Sequence, residues 1–516
     1  MRALALSVSL IASACAALHG PAARAQDADT LRRNEAAAAD MFDRVKGNAA
    51  MLRAFLLPMP KGADLHNHLG GTPSAEDYLD LAADAGFCVA DDLAITPDPC
   101  PAEDKIARIA ADEPFEYARL VDHISTRGWQ NGIGADQVSG HTQFFISFDR
   151  YRAMQGIAEW PLLMVAMQTA AGDHIRYLEL MHNPAPMMPL VLAADEGALS
   201  EADLPALLAS ERAAMAGVTD RISATLDEQE AQVRAALGCE GPAPEPACGL
   251  AVHYLASSFR ALPPRQMFRS LYLSFALADA DPRYVGVNIV MPEDWPVALR
   301  DYDLHMAMFR LLAAQFPDVN ITMHAGELSF GQVPTADMKD HIAKAVEAGA
   351  DRIGHGVDIA HEDDAFATLR RMAQDDVAVE INLTSNDVIL GVTGGDHPIA
   401  LYRAFGVPVT LSTDDQGILR TDLTHEYQRA ASEHGLSYRD LKQISRAGLE
   451  YGFLPGASLW ADPRTTTAVA PCAATFEADD CAAFLQANEK AWVQAMLERD
   501  FQRFEAAMTD VPELNR

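Results

Sequence analysis

The sequence predicts an α/β protein built on a closed (β/α)8 TIM barrel. Three observations carry that expectation: eight short β-rich runs, helical sequence between them, and polar residues gathered where the runs stop. The runs are GADLHNH (62–68), IRYLELMH (175–182), GLAVHYLAS (249–257) and YVGVNIVM (284–291), then NITMHAG (320–326), RIGHG (352–356), VAVEINLTS (377–385) and VPVTLSTDD (407–415). Between them lie stretches such as TADMKDHIAKAVEAG, DDAFATLRRMAQDD and PIALYRAF. Several start at Thr, Asp or Pro and end near Gly, as helices do. Strands alternating with helices build parallel sheets, and eight such units close into a barrel. An open doubly wound sheet is the alternative, but the chain has no Gly-x-Gly-x-x-Gly turn, phosphate-binding loop or internal repeat.

The barrel is expected over residues 59–430, with additions. Residues 26–58 read as an N-terminal helical extension ended by Pro58 and Pro60. More than a hundred residues separate the first two runs, so an insertion follows strand one, near 86–110. A second insertion near 236–250 contains ALGCEGPAPEPACG and reads as a proline-rich surface loop. Residues 431–516 read as a helical C-terminal region broken by GASLWADPRTTTAVAPCAATFEADDC.

The first residues predict a chain that is exported from the cytoplasm. Arg2, an uncharged apolar run from Ala3 to Leu18, and Ala23-Arg24-Ala25 have the layout of a signal peptide over residues 1–25. Export is therefore expected, to the periplasm first and to full secretion second. No other apolar stretch reaches membrane-spanning length, so no membrane association is expected after cleavage. The formal charge of −33 becomes about −35 once Arg2 and Arg24 leave, and such a field repels nucleic acid and anionic membranes. A neutral or cationic small molecule suits it better. Six cysteines remain, in close pairs: Cys88 and Cys100, Cys239 and Cys248, Cys472 and Cys481. Nearest-neighbour disulfides are the simplest reading in an oxidising compartment, and none of the pairs has the spacing of a zinc knuckle.

The strand ends carry the chemistry. His66 and His68 end the first run, and residues two apart on a strand share a face. His324 ends the fifth run with Glu327 three residues on, His355 ends the sixth, and Asp414 and Asp415 end the eighth. Three imidazoles and a carboxylate (His66, His68, His324 and Asp414) form a natural set for one Zn2+ per chain, with room for a water. Zinc brings the pKa of that water to roughly 7. Iron or manganese can use the same ligands. His182 and His253 read as ordinary packed histidines.

Together MPKGADLHNHLGG, YLELMHNP, MHAGE, RIGHGVDI, HPIALYRAFGVPVTLSTDD and LTHEY resemble the adenosine deaminase family, within the wider metal-dependent amidohydrolase group. The signal peptide and paired cysteines make the chain similar to its secreted growth-factor-like members. The resemblance implies catalytic roles for Glu327, His355 and Asp414. Glu327 protonates or hydrogen-bonds the purine ring nitrogen beside the amino-bearing carbon, while His355, assisted by Asp414, orients and deprotonates the attacking water. Asp415 binds the imidazole edge of the purine, and His68 and Met291 also stand at substrate-binding positions. Three positions depart from the family pattern: Gly70 replaces an acid that helps hold the ribose, Met291 and Pro292 replace a glycine-acid turn, and Gln416 replaces a proline.

The implied activity is hydrolytic deamination of adenosine or a related 6-aminopurine nucleoside to the 6-oxo purine and ammonia. Two alternatives stand beside it. One is hydrolysis of another heteroaromatic amine or a cyclic amide; the other is a non-catalytic binding protein on the same fold.

Overall fold

The computed structural model describes residues 28–129, 132, 138–154 and 159–509; the signal-peptide reading of residues 1–25 lies outside them. Eight parallel strands form one sheet in sequence order: β1 (Gly62–His68), β2 (Ile175–Met181), β3 (Ala251–Phe259), β4 (Tyr284–Val290), β5 (Asn320–Ala325), β6 (Arg352–His355), β7 (Ala378–Ile381) and β8 (Val409–Leu411). The ring meets where the chain leaving β8 pairs with β1. There Asp414 N–H donates to His66 O at 2.8 Å and His68 N–H donates to Asp414 O at 3.1 Å. Helices cross between successive strands, among them Pro264–Ala280 before β4, Pro296–Ala313 before β5 and Ala365–Gln374 before β7. This is the (β/α)8 barrel that the alternation of runs implied.

Two runs end earlier as strands than their composition suggested. The seventh turns helical at Leu383, opening α4 (Leu383–Leu390), because Thr384 N–H finds a partner in Glu426 Oε2 at 3.0 Å rather than in a ladder. The eighth keeps only three strand residues, and Asp414 leaves the ladder with φ of 60°.

The additions pack onto the barrel. Helices α1 (Ala28–Val45) and α2 (Ala49–Leu56) form the N-terminal extension. In the C-terminal region, α5 (Leu423–His434) and α6 (Tyr438–Tyr451) lead to α7 (Glu489–Met508). The two ends of the chain meet in an aromatic cluster of Phe42, Phe55, Tyr438 and Phe504, with ring centroids 5.4–6.5 Å apart. The break before α7 contains a small antiparallel hairpin, Trp460–Asp462 with Thr467–Ala468. Disulfides join Cys88 to Cys100, Cys239 to Cys248 and Cys472 to Cys481, the nearest-neighbour pairing. None of the helices described is long and apolar enough to cross a membrane.

The long connection between β1 and β2 reaches the barrel mouth. Thr126 donates to Ile418 O from both N–H and hydroxyl, at 2.9 and 3.0 Å. Its helix α3 (Gly140–Arg150) lies against α4, and His141 Nε2 sits 3.1 Å from Asp294 beyond β4. The segment thus rests on the loops after β4, β7 and β8.

Inside the barrel, Arg352 is 1% exposed yet fully partnered. Its Nε and Nη2 lie 2.5 Å from Glu380 Oε1 and Glu179 Oε2, and Nη1 donates to Tyr451 O at 2.9 Å. Burial alone would raise the Glu380 carboxyl; Arg352 and His66 outweigh it and hold it down at about 2. Removing one member of such a group leaves a buried charge unpaired. Arg352→Met is therefore expected to destabilise the fold by about 3–5 kcal/mol, read as a lower denaturant midpoint. Because the folded pKa of Glu380 is depressed, its contribution is complete above about pH 4.5 and lost as pH falls towards 2. Acid unfolding curves of wild type and Glu380→Gln should therefore converge in that window.

Candidate metal centre

Each strand delivers its side chain to the C-terminal mouth of the barrel, the face that carries chemistry in this architecture. Asn67 turns outward to Thr413 Oγ1 at 2.9 Å, so His66 and His68 on either side of it turn inward. Nε2 of His324 lies 3.0 Å from Nε2 of His66 and 3.2 Å from Nε2 of His68. Asp414 Oδ1 lies 3.5 Å from Nε2 of His66 and 3.3 Å from Nε2 of His68. Two glycines make the approach possible. A methyl on Gly354 would stand 2.6 Å from His66 Cε1, and one on Gly71 would overlap the Asp415 carboxylate.

The outer partners fix which atoms face inward. Asn288 Oδ1 accepts from the backbone N–H of Ile289 at 2.7 Å and of His324 at 3.2 Å, so it is an acceptor. Nδ1 of His324, 3.0 Å from the same oxygen, therefore carries the hydrogen. Nδ1 of His66 is 2.6 Å from Glu380 Oε2 and donates in the same way. With Nδ1 of each ring engaged outward, both Nε2 atoms face each other across 3.0 Å, and a cation bound between them would take a lone pair from each. In a tetrahedral shell with bonds of ~2.0–2.2 Å the ligand atoms stand ~3.3–3.6 Å apart, close to the spacing here. The residues fit a metal ion of the zinc type.

Electrostatics point the same way. Burial would depress the His66 imidazole, but the carboxylates of Asp414 and Glu380 outweigh it and raise it to about 10, which marks a demand for positive charge. For His324, burial and the neighbouring imidazoles push the pKa well below the usual range. Burial opposes ionisation of Asp414, yet its contacts with His66 and His68 hold it well down as a carboxylate.

The remaining polar groups line the same opening. Glu327 Oε1 is 3.8 Å from His355 Nε2, which is 4.0 Å from Asp414 Oδ2. Burial, then the charges of Asp414 and Glu293, raise the Glu327 carboxyl well above its usual range. Burial and Asp414 do the same to Asp415, whose Oδ1 is buried without a partner. His355, Asp414 and Met291 hold positive φ of 67°, 60° and 82° at or just beyond the ends of β6, β8 and β4, and such strain collects at functional sites. His355 also stands near His66, His324 and Asp414, but at 4.0 Å from Asp414 it is further out than His68.

Met291 packs with Met181, Leu255 and Val290, on the β2–β4 side of the mouth. Gly70 offers its carbonyl to the hydroxyls of Tyr78 at 2.7 Å and Tyr151 at 3.0 Å, and the space where its side chain would begin is empty. His182 pairs with Gln229 and His253 with Glu489, so neither joins the site. The residues that sequence reasoning missed are Glu380, Asn288, Glu293, Ser385 and Asn386. Ser385 Oγ donates to Asp414 Oδ2 at 2.7 Å, and Glu293 Oε2 accepts the Glu327 N–H at 2.8 Å. The available signal for Ser385 and Asn386 was the polar LTSN at the end of a barrel strand.

A (β/α)8 barrel with a buried three-histidine, one-carboxylate cation site at its mouth defines the class. A sequence profile of the family described as Adenosine deaminase matches residues 139–459, more than half of the chain, and the chain belongs to that family. Over 137 residues, 26% of this chain, it is 39% identical to an adenosine deaminase of Salmonella heidelberg, and over 143 residues it is 37% identical to that of Escherichia coli. These alignments span 38% and 40% of the relatives' own lengths. Among solved structures, the adenine deaminase of Arthrobacter aurescens superposes with a TM-score of 0.50 at 15% identity, over 76% of this chain and 94% of that one, a likeness of fold.

Metal analysis of the purified chain should find about one transition-metal ion per protein. His324→Ala and Asp414→Ala should each lose most of it, while Ser385→Ala, which touches only the outer oxygen of Asp414, should retain it. By competition with a chelator, affinity should fall by more than ~100-fold for a direct ligand and by ~10–100-fold at most for Ser385→Ala, an outer partner of Asp414.

Proposed function

We propose that the protein is a zinc-dependent hydrolase that deaminates adenosine or a related 6-aminopurine nucleoside, releasing ammonia and the 6-oxo purine. One observation carries the reading. The inward-facing Nε2 atoms of His66 and His324 share an opening with a buried carboxyl, Glu327, whose pKa is pushed well above the usual carboxylate range by burial and by Asp414. Hydrolysis of an amidine-like C–N bond needs both an electrophilic carbon and an activated water, and this opening is furnished for both.

His66, His68, His324 and Asp414 would hold the metal, which supplies Lewis acidity and makes hydroxide available near neutral pH. The chain's own groups do the rest. Glu327 gives its proton to the ring nitrogen beside the amino-bearing carbon and so makes that carbon electrophilic. His355 and Asp414 flank the attacking water; between them they orient it and take its proton. Asp415, its pKa pushed up by burial and by Asp414, forms a hydrogen bond with the imidazole edge of the purine. The proton taken from the water passes to the amino group, which leaves as ammonia, and the proton lost from the new hydroxyl as the 6-oxo group forms restores Glu327.

The strongly negative chain favours a nucleoside or base over a nucleotide. The empty space at Gly70, where the family pattern places a ribose-holding acid, supports tolerance towards the sugar. We also propose export to an oxidising compartment; the three disulfides support it.

The test is ammonia release from a panel of aminopurines by the metal-loaded chain. Adenosine or a close 6-aminopurine should turn over. Glu327→Gln should lose ~10²–10⁴-fold in kcat while keeping its metal. Turnover unchanged in that variant would remove the proton-donor role. No turnover of any aminopurine, with metal bound, would favour the cyclic-amide or binding readings.

A further inference from the structure

We propose that Ile399 N–H, His397 and Asn386 form a hydrogen-bond relay that fixes His355 as the tautomer with its hydrogen on Nε2, making His397 and Asn386 positioning residues for that histidine. The role given to this tautomer rests on the deaminase reading; its existence does not.

Each step of the relay is forced by the one before it. A backbone N–H can only donate, so His397 Nδ1, 3.2 Å from Ile399 N, is an acceptor. The ring is buried, and burial pushes its pKa down to about 3, so it is neutral and its one hydrogen sits on Nε2. That Nε2–H donates to Asn386 Oδ1 at 3.0 Å. With its oxygen so engaged, Asn386 turns its amide nitrogen to His355 Nδ1, 3.0 Å away, and donates there. Nδ1 of His355 is thereby an acceptor, and the hydrogen of this buried ring lies on Nε2. That atom has no protein partner and faces the opening between Glu327 and Asp414.

The consequence divides the labour between the two residues that flank the water. An Nε2 that already bears hydrogen donates to the attacking oxygen and to the oxygen charge that develops on it. The O–H bond of the water then breaks towards Asp414 Oδ2, and the proton passes on to the departing amine, so that ammonia leaves neutral. His355 holds the oxygen; the carboxylate takes the proton.

The experiment reads the tautomer directly. The full chain, zinc-loaded and labelled with ¹⁵N in histidine, is examined by long-range ¹H–¹⁵N correlation, with His355 assigned by the signals lost in His355→Asn. The expected spectrum shows His355 protonated on Nε2 and bare on Nδ1. In Asn386→Asp the new carboxylate can only accept, so the hydrogen should move to Nδ1. His397→Phe should leave a mixture of tautomers. A wild-type ring protonated on Nδ1 overturns the relay, whatever the variants do. Kinetics with adenosine give the second readout: Asn386→Asp should lose about 100-fold in kcat with KM changed by less than about threefold. A kcat untouched by an inverted tautomer overturns the donor role. The expected tautomer in a chain that turns over no aminopurine would sink the deaminase reading and leave the relay standing.

Discussion

Glu380 lies fully buried between Arg352 and His66, one oxygen 2.5 Å from the guanidinium and the other 2.6 Å from the imidazole. A carboxylate so deep in a protein is costly unless both of its oxygens are engaged. Here the engagement does two things at once. It ties β6 to β7 inside the barrel, and it turns the metal-facing nitrogen of His66 into a lone pair. The same carboxylate also accepts from Thr322 on β5 at 2.8 Å, so three neighbouring strands share one charge. The interior that steadies the barrel and the outer layer that orients the ligands are thus the same residues.

Around that anchor the site keeps three carboxyls in different states within one opening. Asp414 is held as an anion by the histidines it touches, while Glu327 and Asp415 are pushed towards the neutral form by burial and by Asp414 itself. A carboxylate that resists ionisation in its neighbours converts two potential repulsions into two hydrogen-bond donors. The backbone contributes as well. His355 and Asp414 reach the opening only by adopting positive φ, a conformation that the surrounding barrel must hold in place.

Much of this was legible in the residues. The eight runs gave their strands because alternation and β-branched composition are local signals, and His66, His68, His324, His355 and Asp414 were visible because strand ends in a barrel converge. What was not legible depends on contacts between distant segments. Nothing local says that Glu380, in the middle of an apolar run, faces His66, or that Asn288 in the fourth strand faces His324. VAVEINLTS reads as one strand, yet its end coils into α4 because Glu426, from a helix much later in the chain, satisfies the Thr384 amide in its first turn. The small hairpin near Trp460 was likewise hidden in a stretch whose turn-rich composition suggested only a break. The family profile begins at residue 139, so the first strand and its two histidines join the site on geometry, across a connection of more than a hundred residues.

The place where β8 meets β1 is both the last join of the barrel and the floor of the metal site. Asn67 and Thr413, 346 residues apart, touch across it, and His66, His68 and Asp414 stand along its upper edge. Contacts of such long range form late, since most of the chain must be ordered before they can be made. A cation bound there would act as a clasp on the ring: it would cross-link the first strand to the last and stabilise closure by its own binding free energy. In that sense the ion belongs to the architecture as much as to the chemistry, and a chain deprived of it would be expected to open first along this seam.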